Sequence, residues 1–380
     1  MTAATALEAF ASDLYGVLAR EPGNVVFSPY SAAVALAMTR AGAVGKTAQQ
    51  MDLVLHASAA DDLHAGFNAL DQSLAQRSGE FRMNEGTYKL ELSTANQLFG
   101  QRGYAFEAAF LDVLASQYGA GMKLVDYKEE AAREQARAAT NDWVSERTRD
   151  RIPELIREGV LTHLTRLVLT NAIYLNARWV KPFAAGATVS APFHRLDGSE
   201  TEAQLMLLDS RINYGRGAGF QAVRLPYLGG LSMIAIVPDA GGFAGFEESL
   251  RDGSRLHGVI ASLGDAQVKL RMPRFEFRSQ AALKPALSEL GMPIAFTDDA
   301  DFSGMSPAGR DLRIADVVHE AFIKVDEEGT EAAAATAVIV EAVSAPLVSA
   351  ELTIDRPFLF LIRDDATGTL IFMGRVLDPS

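Results

Sequence analysis

The 380-residue chain contains no cysteine. Neither a disulfide bond nor a thiolate nucleophile is therefore available, and cysteine usage gives no information about the redox compartment. No apolar run reaches about 18 residues, the length at which a membrane-spanning helix is expected. The first twenty residues also lack a basic start followed by an apolar block, so the sequence predicts no signal peptide. These absences predict a protein without a membrane span.

Positive charge is scarce as well. The chain has 35 lysine and arginine residues against 48 aspartate and glutamate residues, which gives a net charge of −13 and a pI near 5.0. General nucleic-acid binding requires a basic surface, so this balance argues against nucleic acid and against a built-in polyanion site. Hydrophobic residues make up 48% of the chain, which is ample for a buried core.

The sequence signatures of common enzymes are missing too. There is no G-x-S-x-G and no phosphate-binding P-loop. His319 is followed by Glu320 but not by the second histidine of a zinc motif, and the six histidines show no metal-ligand spacing. Serine, histidine and aspartate are all present, so the sequence does not exclude a catalytic triad. We predict a protein that is not an enzyme and that holds no metal or cofactor.

Helical and strand periodicities alternate along the chain, which predicts an α+β fold. Ser28 before Pro29 is a favourable helix start, with serine as the cap and proline in the first turn. Thr170 and Asn171 interrupt a long apolar strand and need partners, since a buried polar group left unpaired costs about 1–3 kcal/mol. The pattern predicts helices over 7–18, 29–42, 105–118 and 129–151, and strands over 89–98, 167–175, 231–237 and 270–275.

The least ordinary stretch is 324–344, KVDEEGTEAAAATAVIVEAVS. Alanine is the best helix former, so the alanine run favours a helix. A strand sorts the side chains more cleanly, because Glu331 and Glu341 then share one face. The residues alone leave helix and strand equally open. Glycine can adopt backbone angles closed to other residues, so Gly329 suits a pivot.

The sixteen residues from Val325, VDEEGTEAAAATAVIV, resemble the hinge and proximal reactive-centre loop of an inhibitory serpin. In that family the loop is an exposed bait that inserts into a large sheet once it is cut. Further matches extend from about Asn24 to the C-terminus. They include NVVFSPYS at 24–31, LTNAIYLNARWVKPF at 169–183, LPY at 225–227 and ADFSGM at 300–305.

The resemblance implies a single serpin domain over residues 1–380, of the antitrypsin-like superfamily and prokaryotic type. Its fold has a large central mixed sheet, two smaller sheets, surrounding helices and an exposed reactive-centre loop at about 327–350. It also implies a monomer outside the cell. Because no signal peptide is seen, a cytoplasmic location stays open.

Three groups of site residues follow from the resemblance. The breach, where insertion begins, is represented by Trp179. The shutter, which controls sheet opening, is formed by Ser28, Ser31, Asn171 and His319. The hinge consists of Glu327, Glu328, Gly329, Thr330, Glu331, Ala332, Ala333, Ala334, Ala335 and Thr336.

The implied function is suicide-substrate inhibition of a serine protease. Counting from the hinge in the family's usual register places the reactive bond at Val343-Ser344, which favours elastase-like or subtilisin-like targets. The loop is a few residues longer than in many serpins, so Ala342 or Ser344 is an alternative cut residue. Glu341 as the cut residue would indicate a glutamate-specific protease. The competing predictions are a non-inhibitory serpin, acting as carrier or chaperone, and a plain hydrolase. The small residues of the hinge favour inhibition.

Overall fold

A computed structural model describes residues 2–57, 62–83, 86–331 and 349–380. Within these ranges the chain forms nine α-helices, none of which is long and apolar enough to span a membrane. The helices are α1 (Ala3–Leu18), α2 (Pro29–Arg40), α3 (Gly45–Val54), α4 (Leu63–Ala75), α5 (Ala108–Tyr118), α6 (Glu130–Arg147), α7 (Phe243–Ser249), α8 (Ser254–Ala261) and α9 (Lys284–Leu290).

The same ranges contain sixteen strands, which form two sheets. The strands are β1 (Val25–Phe27), β2 (Gly79–Met83), β3 (Gly86–Gln101), β4 (Met122–Val125), β5 (Leu167–Arg178), β6 (Val189–His194), β7 (Glu200–Gly217), β8 (Phe220–Pro226), β9 (Leu231–Pro238), β10 (Gly264–Pro273), β11 (Phe275–Ala282), β12 (Asp316–Val325), β13 (Gly329–Thr330), β14 (Ser349–Thr353), β15 (Phe358–Asp364) and β16 (Leu370–Val376).

A seven-stranded sheet forms the centre of the fold. Its strands run in the order β11-β12-β13-β5-β3-β2, with β4 also paired to β3. β12 lies parallel to β5 and β4 lies parallel to β3, whereas the other pairs are antiparallel. The mixed central sheet that the sequence predicts is therefore confirmed.

The remaining strands form one continuous ladder rather than two separate smaller sheets. Its order is β1-β16-β15-β9-β8-β7-β10-β14, with β6 also paired to β7. The long strand β7 causes the continuity, because its first residues pair with β6, its middle with β10 and its last residues with β8. The two smaller sheets of the prediction are thus hydrogen-bonded through a single strand.

Strand β5 is buried on both faces, which explains its almost unbroken apolar sequence. Leu169, Ile173 and Ala177 point into the main hydrophobic core. Val168 and Ala172, from the alternate positions, belong to a smaller second core with residues of α6 and the segment after it. A strand next to β5 would therefore be covered on both faces as well.

Several helix boundaries differ from the prediction, since α1 begins at Ala3 and α2 ends at Arg40, and two larger differences have identifiable causes. The helix predicted over 105–118 begins only at Ala108, because the Ala105 carbonyl accepts a hydrogen bond from the Ser306 hydroxyl and the Glu107 N–H donates to the Met305 carbonyl. The helix predicted over 129–151 ends at Arg147, since two later residues, Arg149 and Asp150, have left-handed φ angles of 52° and 61°. A tertiary contact overrides the local pattern at the first place, and a local left-handed turn ends the helix at the second.

Gly374 lies where strands approach too closely for a side chain. A Cβ there would be 2.2 Å from the Val25 carbonyl oxygen and 2.6 Å from the Phe360 ring. We expect Gly374→Ala to lower the free energy of unfolding by about 1–3 kcal/mol in denaturant titrations, as overpacking does. The control is Gly258→Ala in α8, where a Cβ meets no atom within 4 Å and the helix gains about 0.5–1 kcal/mol. Equal effects of the two changes would contradict this packing argument.

Candidate functional site: a two-residue strand between parallel strands

The described part of the hinge lies between the carboxyl-terminal ends of β5 and β12, which we call their upper ends. These strands pair directly, in parallel, from Asp316 opposite Val168 to Ala321 opposite Ile173. Above that point they diverge, and β13 lies between them, antiparallel to both. We use the name slot for the boundary between β5 and β12, from their direct pairing up to the ends of both strands. A short antiparallel strand thus occupies the top of the slot.

Gly329 is the first residue of β13 and lies against the backbone of β5. A Cβ at this position would be 2.1 Å from the Ala177 carbonyl oxygen. No side chain fits there without displacing β5. Glycine is therefore required by the close approach of the two strands.

Thr330 follows and is 3% exposed. Its hydroxyl is hydrogen-bonded to the Tyr227 hydroxyl at 2.6 Å. The Tyr227 ring stacks on Trp179, with ring centroids 4.1 Å apart and an interplanar angle of 14°. Burial raises the pKa of the Tyr227 phenol, so its hydroxyl stays protonated at neutral pH. The hinge threonine is therefore held in the aromatic cluster at the top of the slot.

Trp179, the predicted breach residue, also binds the hinge backbone. Its indole Nε1 donates to the Asp326 carbonyl at 3.0 Å, and its backbone N–H donates to the Glu328 carbonyl at 2.9 Å. The backbone N–H of Phe183 donates to the Glu327 carbonyl at 2.9 Å. The chain segment before the pivot is thus fixed at three successive carbonyls.

Glu327 is anchored by an arginine from the turn between β10 and β11. The Arg274 guanidinium holds its carboxylate in a fork, with Nε 2.7 Å from Oε2, and Thr188 donates a further hydrogen bond. Burial raises the pKa of Glu327, but these hydrogen bonds outweigh burial and the pKa lies below its ordinary value. Glu327 is therefore ionised at neutral pH.

Glu328 forms a second, more buried ion pair. Its Oε2 lies 3.1 Å from Nε of Arg178 on β5, and the two side chains are 8% and 5% exposed. The Arg178 guanidinium also lies 3.7 Å from the centroid of the Tyr88 ring. Removing one member of such a pair typically costs about 3–5 kcal/mol, because the other charge is left buried.

Glu331 is the last described residue before the loop and makes a third pair. Its carboxylate binds the Arg151 guanidinium, and its backbone N–H donates to the Lys324 carbonyl at 3.2 Å. The side chain is 8% exposed, and its φ of 57° is left-handed. Burial raises the pKa of Glu331 despite the arginine. The chain thus leaves the extended conformation directly after β13.

Residues 332–348 of the predicted loop lie outside the described residues, whereas Ser349 and Ala350, at its predicted end, already belong to β14. This applies to Ala332 through Thr336 of the hinge and to the predicted reactive bond Val343-Ser344. The alternative cut residues Glu341 and Ala342 also lie there. Gly329 and Thr330 form a strand, and the choice between helix and strand beyond them stays a prediction.

The four predicted shutter residues meet in one cluster beside the slot. The side-chain N–H groups of Asn171 donate to Ser31 Oγ and to Asn96 Oδ1, each at 2.7 Å. His319 Nδ1 donates to Asn171 Oδ1, and His319 Nε2 accepts the Ser28 backbone N–H at 3.0 Å. Because Asn171 belongs to β5 and His319 to β12, their bond crosses the slot. Opening the slot at this level would break it.

His319 is fully buried, and burial lowers its pKa to about 3. Protonation would add a hydrogen to Nε2, which already faces the N–H of Ser28. The neutral form with its proton on Nδ1 therefore fits the cluster. The shutter is thus built for an uncharged imidazole.

Several residues of the site were not recognised in the sequence. Asn96 lies in a predicted strand, where it is the polar residue of an apolar alternation, and Tyr227 lies in the LPY turn. The three arginine partners carry no local signal, because they are 53, 150 and 180 residues from their glutamates. Within the described ranges no group of histidines and carboxylates is placed to hold a metal ion.

Comparison with known proteins agrees with this architecture. A family model described as serpin, serine protease inhibitor, matches residues 5–379. An uncharacterised serpin-like protein of Thermococcus kodakarensis is 39% identical over 98% of this chain and 85% of its own length. The leukocyte elastase inhibitor of Bos taurus is 38% identical over 97% of each chain.

Solved structures show the same fold. The crystal structure of Serpin48, described as a highly specific serpin of Tenebrio molitor, has a TM-score of 0.85 at 30% identity. It covers 100% of this chain and 98% of that one. Uncleaved ovalbumin, at 22% identity, also has a TM-score of 0.85, with both chains covered completely. The protein therefore belongs to the serpin family, whose general activity is inhibition of serine proteases.

The shutter histidine predicts a pH dependence of stability. The unfolded chain binds a proton at His319 near pH 6.5, whereas the folded protein does so only near pH 3. Between these values the unfolded state holds more protons, so lowering the pH costs about 1.4 kcal/mol of stability per unit. We expect this slope to be smaller by that amount in His319→Gln. Unfolding titrations between pH 4.5 and 8 measure it, and equal slopes below pH 6.5 would contradict the assignment.

Proposed function

We propose that the protein is a suicide-substrate inhibitor of serine proteases whose cut loop inserts into the slot. The observation that supports this most directly is the register of three strands. β13 pairs Thr330 with Ala177 of β5 and with Val325 of β12. Continued downward in the same register, residue 339 falls opposite Val168 and opposite Asp316. These two residues already face each other in the closed slot.

The same correspondence holds at every step of the slot. Residue 334 would fall opposite Ile173 and Ala321, which are also paired now. β5 and β12 therefore need only to separate sideways, without sliding, to receive a strand that continues β13. Residue 340 would lie opposite Leu167, the first residue of β5. Once its two strands have separated, the slot is thus long enough for the hinge and the small residues that follow it.

The composition of the segment suits this destination. In this register the even-numbered residues from Thr330 onward would face the main core after insertion, and the odd-numbered residues would face the second core under α6. A strand covered on both faces needs neutral and compact side chains. The segment from 332 to 340, AAAATAVIV, has no charge and no aromatic ring. Antiparallel pairing on both sides would replace one parallel contact, and antiparallel pairs are slightly the more stable.

The chemistry then belongs to the protease. Its serine Oγ attacks the carbonyl of the cut residue and forms an acyl ester, and the new amino terminus leaves. Insertion of the freed segment carries the ester-linked protease along and distorts its active site before water completes hydrolysis. Inhibition is therefore a competition between strand insertion and deacylation. The uncut protein is kinetically trapped above a more stable inserted state.

The proposed reactive bond is Val343-Ser344, just beyond the lower end of the slot in the extrapolated register. A small aliphatic residue at the cut position suits an elastase-like or subtilisin-like protease. Relatives named leukocyte elastase inhibitor, at 36–38% identity, support the elastase-like choice. The carrier or chaperone alternative is less favoured, since Gly329 and Thr330 already occupy sheet positions.

The first test mixes the protein with a pancreatic-type elastase and with subtilisin. We expect a covalent complex that survives heat and detergent, together with a released C-terminal peptide. Mass spectrometry of that peptide should show Ser344 as its first residue. Cleavage without a complex, and without a rise in melting temperature, would instead identify a non-inhibitory serpin.

The second test changes the hinge threonine. Thr330→Arg places a charge among Tyr227 and Trp179, where an unpaired charge costs several kcal/mol. We expect the variant to be cut but to lose trapping by at least about tenfold, since 1.4 kcal/mol is already a tenfold change. Thr330→Ser keeps the hydroxyl and a small volume, so it should trap normally. Normal trapping by Thr330→Arg would refute insertion through the top of the slot.

A further inference from the structure

One hinge residue breaks the rule that the inserting segment is small and uncharged. Glu331 follows Thr330 directly, and its side chain is already 8% exposed in the uncut protein. If the register of β13 is continued, Glu331 would lie opposite Asn176 of β5 and Lys324 of β12, on the face toward α6. A carboxylate at that place is costly unless a positive charge accompanies it. Insertion of this chain therefore requires a counter-charge on the α6 side of the sheet.

Arg151 supplies that charge from the segment after α6. Its guanidinium binds the Glu331 carboxylate and lies 5.6 Å from the ring of Phe322, where β12 separates from β5. The other carboxylate oxygen, Oε2, is buried and has no hydrogen-bond partner among the described residues. Lys324 contributes less, since its Nζ lies 3.5 Å from the Glu276 carboxylate, so Arg151 is the principal compensation for this charge.

The backbone before Arg151 is built to direct it there. Arg149 and Asp150 both have left-handed φ angles, a conformation that costs about 1 kcal/mol or more for such residues. Two hydrogen bonds at 2.8 Å fix the turn, one from Ser145 Oγ to the Asp150 carboxylate and one from the Asp150 N–H to the Ser145 carbonyl. The next residue, Ile152, is fully buried in the second core. Arg151 is therefore held between a strained turn and a buried anchor.

We propose that Arg151 is a positioning residue for inhibition, which carries the charge of Glu331 into the sheet as the hinge enters the slot. This inference rests on the proposed function. Without Arg151 the buried carboxylate would be more stable in water than in the slot. The hinge would then leave its position in the uncut protein, and insertion after cleavage would be slower.

The test uses the full chain in four forms: wild type, Arg151→Gln, Glu331→Gln and the double variant. Amide hydrogen exchange of residues 329–331 in the uncut protein measures whether the hinge is held. We expect exchange about two- to tenfold faster in Arg151→Gln, the range of ordinary side-chain coupling energies. The double variant should return to within about twofold of Glu331→Gln, because a neutral side chain needs no counter-charge.

The same forms are then compared for the fraction of cut molecules that trap elastase. Arg151→Gln should lower this fraction about two- to tenfold, and the double variant should recover it. Arg151→Lys keeps the charge and should lie between wild type and Arg151→Gln. The control is Arg137→Gln, which removes ion pairs of α6 with Glu134 at 2.6 Å and Glu154 at 2.9 Å and lies outside the turn that holds Arg151.

The outcomes separate the two claims. Unchanged exchange in Arg151→Gln, or a double variant as impaired as Arg151→Gln, overturns the role of Arg151. An equal effect of Arg137→Gln overturns it too, because the cause would then be a disturbed α6 segment. If no form traps any protease, including wild type, the proposed function fails, and the exchange measurement still decides whether Arg151 holds the hinge.

Discussion

The parallel pairing of β5 with β12 is the contact on which the rest of the site depends. Parallel strands leave their equivalent ends together, so both upper ends meet the same two-residue strand. That strand is antiparallel to both neighbours, because the chain turns back after β12. A segment that turns back in this way enters the slot from the top. The shutter cluster closes the same contact lower down, through Asn171 and His319. The sheet therefore has one strand position, between β5 and β12, of which β13 fills only the top.

The sequence predicts much of the fold. The apolar run of β5 predicts a central strand, and Ser28-Pro29 predicts the start of α2, whose cap the structure shows as Ser28 Oγ accepting the Ser31 N–H at 3.1 Å. Periodicity fails where a distant contact decides the backbone, as at the start of α5, and where a left-handed turn ends a helix, as after α6. It also gave no sign that β7 joins two sheets, since strand pairing depends on register between segments far apart in the chain.

The site was predictable only in its sequentially continuous part. The hinge forms one unbroken segment, so its pattern is visible in the sequence. Its arginine partners come from three unrelated elements, and no spacing rule connects them to the glutamates. The four shutter residues likewise come from three elements, and only the family resemblance grouped them. Asn96 completes that cluster because β3 lies beside β5, with Asn96 opposite Asn171.

The three ion pairs of the hinge differ in their access to solvent. Arg274 and Arg151 are 47% and 43% exposed, whereas Arg178 in the middle pair is 5% exposed. Dissolved salt screens exposed charges over about 8–10 Å at physiological ionic strength and buried pairs much less. The two outer ion pairs of the described hinge are therefore sensitive to ionic strength, while the middle pair is not. The salt concentration of the surrounding medium thus changes how firmly Glu327 and Glu331 are held before a protease arrives, while Glu328 keeps its partner.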